Sequence, residues 1–140
     1  MPFSLSSDQI RGSIDHAILK PELTRIELDQ QLDLAARYRL FSVCVRPCDV
    51  EYAVRRLGAS DVGGAGSGSA GLGSAGLASE VLVGTVIGFP HGSTSTAAKV
   101  AEVKQALADG ASELDMVLNI SWLRSGLDDL VAADIAAVVE

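Results

Sequence analysis

The sequence predicts an α/β fold of parallel strands joined by crossover helices. Apolar, β-branched runs occupy residues 14–19, 41–45, 81–89 and 113–120, and each is followed by a segment of helical periodicity. The runs are continuous rather than alternating, as in strands covered on both faces. Parallel neighbours cannot be joined by a hairpin and need a crossover, which the helical segments supply.

Thr24 with Glu27 forms a capping box, and Leu23 and Leu28 are placed for the hydrophobic staple around it, so the first crossover helix is expected to start near Arg25. Leu28, Leu32, Ala35 and Ala36 give that helix one apolar face. Pro47 suits the first turn of the next, where Asp49 and Glu51 complement the dipole, and Val50, Val54 and Leu57 form a stripe ending before Gly58. The third runs from about Thr96 through Val100, Val103 and Leu107, with Gly110 as a left-handed cap. The fourth begins near Leu127 and is still running at Val138 and Val139.

Strand starts at 14, 41, 81 and 113 give steps of 27, 40 and 32 residues. The long step contains residues 58–79, which hold eight of the fourteen glycines and no periodic apolar face. Gly and Ser maximise backbone freedom, so a flexible surface insertion is expected there. A glycine-rich phosphate cradle would instead follow a strand and open a helix, whereas this segment follows a helix.

With 140 residues, 48% hydrophobic and 21% charged, the composition is that of a globular protein. The net charge of −7, with lysine only at Lys20, Lys99 and Lys104, argues against a nucleic-acid surface. No apolar run approaches the roughly 20 residues of a membrane span, and residues 1–13 lack the pattern of a secretion signal, so a cytoplasmic protein is expected. Cys44 and Cys48, the only cysteines, are then expected to be reduced.

Three motifs carry a resemblance. IDHAILKP spans residues 14–21; FSVCVRP at 41–47 is followed by TVIGFPHG at 85–92; GASELDMVLNI spans 110–120. In this order and spacing they resemble the deoxyribose-phosphate aldolase family over nearly the whole chain outside the Gly/Ser segment. The resemblance implies a TIM (β/α)8 barrel, here about its first four β/α units. It implies a class I aldolase, a lyase of deoxyribonucleotide catabolism that cleaves 2-deoxyribose 5-phosphate to glyceraldehyde 3-phosphate and acetaldehyde through a Schiff base, with no cofactor and no metal.

By that resemblance Asp115 matches the strand aspartate that takes part in proton relay, and Asp15 the aspartate of the opening strand. Residue by residue, Asp115 is an acid in an apolar strand between Leu114 and Met116; such a carboxylate needs a partner, and a structural ion pair or a strand-edge site would also satisfy it. Cys44 and Thr85 are placed in the substrate pocket, although a small buried thiol also serves as core. Ala17 departs from the family pattern, where a threonine commonly follows the Asp-His pair, so one hydroxyl that could meet substrate is missing.

None of the three lysines matches the Schiff-base position, which the resemblance puts on a later strand. Lys20 is expected in an ion pair at the barrel rim, and Lys99 and Lys104 as solvated helix positions. His16, His91, Cys44 and Cys48 are the right types for zinc, but Cys-x3-Cys with two isolated histidines is not a zinc spacing.

A full barrel takes about 250 residues, so four units are half of one. Its open sheet edges and lumen side chains would meet water, from which self-association or pairing with a complementary C-terminal half is expected. A catalytically silent half-barrel used for assembly or binding is the other reading, and a small metal-binding α/β protein a third.

Overall fold

The computed structural model describes residues 4–58 and 81–140. Strands β1 (Asp15–Ile18), β2 (Ser42–Val45), β3 (Leu82–Ile87) and β4 (Glu113–Met116) form one parallel sheet in the order β1-β2-β3-β4. Helices α1 (Ser7–Arg11), α2 (Arg25–Tyr38), α3 (Val50–Gly58), α4 (Thr96–Ala108), α5 (Ile120–Arg124) and α6 (Asp128–Val139) surround it.

Register divides the side chains between two faces. Asp15 pairs with Ser42, Ala17 with Cys44, Cys44 with Gly84, Gly84 with Glu113 and Val86 with Asp115. Because strand side chains alternate, these residues share the concave face. Ile18, Val43, Val45, Val83 and Ile87 take the other face and pack against Leu28, Leu32 and Ala35 of α2, Val50, Ala53 and Leu57 of α3, and Val103 and Ala106 of α4. Complete burial of a leucine such as Leu28 or Leu32 contributes roughly 1.5–3 kcal/mol.

The cap of α2 forms as expected. Thr24 Oγ1 accepts from the Glu27 N–H at 3.3 Å, while the Glu27 carboxylate accepts from the Thr24 N–H at 2.8 Å. The carboxylate also accepts from Thr24 Oγ1 at 2.7 Å, and the two bonds it accepts from the Thr24 N–H and hydroxyl hold Glu27 below the usual carboxylate range. Gly110 takes a φ of +95° just beyond α4, where a side chain would be strained.

Two expectations about the fold need correction, and one helix goes beyond them. The fourth strand ends at Met116 instead of reaching Ile120, because Asn119 Oδ1 accepts from the Trp122 N–H and starts α5. Helix α1 was not foreseen; Ser6 and Gln9 build its capping box, but no residue of it is buried, so no apolar stripe announces it. Asp49 stands in the first helical turn after Arg46, as expected, and is buried there, held by Arg46 Nε at 2.6 Å and Arg25 at 3.6 Å.

The correction at Lys99 is the larger. Lys99 is fully buried, not solvated, and its Nζ lies 2.5 Å from Asp134 of α6. Helix α6 covers that face of α4, and the periodicity of α4 alone carries no trace of it. The expected insertion at 58–79 falls outside the described residues except for Gly58, which ends α3. No described helix is long and apolar enough to cross a membrane.

Candidate active site

Asp15, Cys44 and Asp115 come from three different motifs and three different strands, yet one ligand atom of each lies within 4.8 Å of the others. The convergence follows from register. Cys44 sits opposite Gly84, and Gly84, on the strand between, has no side chain to separate β2 from β4. A Cβ there would come within 3.1 Å of Glu113 Cβ.

The Cys44 thiol is buried and its pKa is pushed up to about 12. Desolvation is the largest cause, followed by the hydrogen bond to Asp115 and the negative charges of Asp115, Asp15 and Glu113. At neutral pH Cys44 is therefore a protonated thiol beside Asp115 and a poor nucleophile. Asp15 accepts from the buried Ser42 Oγ at 2.6 Å. Both aspartates are exposed to the open concave face, where they can reach a small molecule.

Thr85 is not part of this group. It lies on the helix-facing side, wholly buried, and its Oγ1 donates to the Val45 carbonyl at 2.7 Å. A strand apolar on both faces gives no alternation from which to assign its direction, which is why the sequence placed it in the pocket.

Two residues of the concave face escaped the sequence reading. Ser42 precedes Cys44 by two positions and Glu113 precedes Asp115 by two, so strand alternation alone would have found them. Glu113 Oε2 is buried with no hydrogen-bond partner among the described residues. A buried carboxylate oxygen left in that state is costly.

The remaining candidates disperse. His16 points to the helices, its Nε2 2.8 Å from Gln31 Oε1, while His91 and Cys48 are exposed, so the four residues weighed for zinc do not assemble. Lys20 is exposed and makes no ion pair with a described residue; its carbonyl accepts instead from Arg46 at 3.3 Å. His91, Ser93, Ser121, Arg124 and Ser125 line a cavity of about 570 Å³ beyond the strand ends. Between His91 and Ser93, Gly92 at φ +66° leaves room for the Leu118 carbonyl, which a Cβ would approach to 1.9 Å.

Four parallel strands with crossover helices, and polar residues gathered on the concave face, define half of a (β/α)8 barrel of the aldolase type. The chain is 46% identical over 127 residues, 91% of its length, to deoxyribose-phosphate aldolase 1 of Staphylococcus aureus strain MRSA252 and to deoxyribose-phosphate aldolase 2 of strain N315. The match falls on the N-terminal half of these deoxyribose-phosphate aldolases. The chain spans about half the length of these curated relatives, 49% in each case.

Solved structures agree. A Coccidioides immitis protein assigned as a deoxyribose-phosphate aldolase matches with a TM-score of 0.80 and 36% identity, over 99% of this chain and 47% of that one. The aldolase QR15 matches with a TM-score of 0.74 and 32% identity, over 92% of this chain and 49% of that one. No family model matches the chain.

Proposed function

We propose that these 140 residues supply one half of a Schiff-base aldolase site for 2-deoxyribose 5-phosphate, in which Asp115 relays protons, Asp15 and Cys44 line the pocket, and the condensing lysine comes from outside this chain. The observation that carries the reading is the convergence of Asp15, Cys44 and Asp115 on the concave face. Lys99 is engaged with Asp134, and the family resemblance assigns the Schiff-base role to neither Lys20 nor Lys104.

In the reaction a neutral amine attacks the substrate aldehyde and loses water to give an iminium. The hydroxyl on the third carbon then gives up its proton, the bond between the second and third carbons breaks, and its electron pair moves into the iminium to form an enamine. Glyceraldehyde 3-phosphate leaves. Protonation of the enamine carbon and hydrolysis release acetaldehyde and restore the amine. Asp115, exposed on the concave face beside a protonated Cys44, is suited to pass the proton in both directions.

A cytoplasmic setting and association with a further copy or a complementary half belong to the same proposal. The apolar groove of about 480 Å³ along β4, lined by Leu114, Met116, Leu118, Ile135 and Val138, supports the need for a further covering element.

Borohydride trapping tests the reading. The chain alone with 2-deoxyribose 5-phosphate should give no adduct, and the chain mixed with the C-terminal half of the Staphylococcus aureus relative should give one on that half. An adduct on Lys20, Lys99 or Lys104 would contradict the assignment of the nucleophile, and no adduct in any mixture would favour a silent assembly module.

A further inference from the structure

Burying an ion pair costs desolvation of both charges, and well-packed apolar residues in the same place are often as stable or more so. Lys99 and Asp134 are such a pair, with side chains 0% and 1% exposed. Stability alone therefore does not explain them.

What an apolar pair could not supply is a second bond. Lys99 Nζ also donates to the Val117 carbonyl at 3.0 Å. Val117 stands two positions beyond Asp115, and its N–H donates to the Ile87 carbonyl of β3 at 2.9 Å. Both main-chain polar groups of Val117 are thus held. The lysine stem lies under Gly88, where a Cβ would come within 2.8 Å of Lys99 Cε, and Glu102 of the same helix accepts from the Gly88 N–H at 2.6 Å. Asp134 is oriented in turn by Thr96 Oγ1 at 2.7 Å.

We infer that Lys99 is a positioning residue: with Asp134 it fixes the C-terminal ends of β3 and β4 and so sets where the Asp115 carboxylate stands beside Cys44. Its functional meaning rests on the reading of Asp115 as the relay carboxylate; its geometric content does not. Two of the three ammonium protons are already donated and the group is sealed from solvent, so Lys99 is not a second nucleophile.

The test uses the 140-residue chain carrying Cys48→Ser, which leaves Cys44 as its one thiol. Iodoacetamide alkylation of Cys44 is followed in this parent and in the Lys99→Met/Asp134→Leu double variant, at a series of urea concentrations below the unfolding transition. Release of Asp115 from the thiol should make the double variant react about tenfold faster, one pKa unit's worth of thiolate, at a rate that low urea does not change. A rate equal to the parent's would overturn the inference, as would an increase that climbs with urea in step with global unfolding, the mark of a merely structural pair. The assay does not involve turnover, so its failure is distinct from a failure of borohydride trapping.

Discussion

Cys44 on β2 and Asp115 on β4 bring thiol and carboxylate within 4.8 Å of each other across an intervening strand, over the bare backbone of Gly84. The two side chains meet because β3 contributes nothing to the space between them. The pairing ties the protonation of one to the charge of the other, and that tie is open to measurement.

Folding raises the Cys44 pKa from 9.0 to about 12, so the folded protein holds this proton more tightly than the unfolded chain does. Stabilisation from the protonated thiol is complete below pH 9 and is lost as pH rises toward about 12. Urea melts between about pH 9 and 11 should show wild type losing about 1.4 kcal/mol per pH unit more than Cys44→Ala. Parallel slopes for the two proteins would refute this.

Asp115→Asn keeps the side chain's size and removes its capacity to take a proton. In the complete barrel the substitution should lower kcat by about 10²–10⁴ with little change in KM, the usual contribution of a placed acid or base. Steady-state kinetics with 2-deoxyribose 5-phosphate checks it, and an unaltered kcat removes Asp115 from the relay.

Lys99→Met leaves the Asp134 carboxylate buried without its cation. Unfolding free energy should fall by about 3–5 kcal/mol, and the double variant with Asp134→Leu should regain most of that loss. Chemical denaturation of the three proteins reads it directly.

Thr85→Val deletes a hydroxyl that donates to Val45 inside the core and touches nothing on the concave face. A loss of about 1 kcal/mol is expected, with ligand handling unaltered. A raised KM for the sugar phosphate in the complete barrel would return Thr85 to the pocket.

Local chemistry was legible in the sequence, and long-range chemistry was not. The Thr24 capping box lies within four residues and fixed the start of α2. Asp115 stood out because it interrupts an apolar strand, and Asp15 through its match to the family's opening-strand motif. Thr85 was misplaced because β3 is buried on both sides and shows no alternation. Lys99 was misplaced because the residue that pairs with it, Asp134, is 35 positions away on a helix whose packing no pattern in α4 announces. Glu113 and Ser42 were available from strand parity, once the concave face had been identified.

The contacts that hold the Asp115 segment run from β2 to α6, through Cys44, Ile87, Lys99 and Asp134, all within this one chain. Any element that packs over the concave face would therefore meet a strand end already tethered from within this chain.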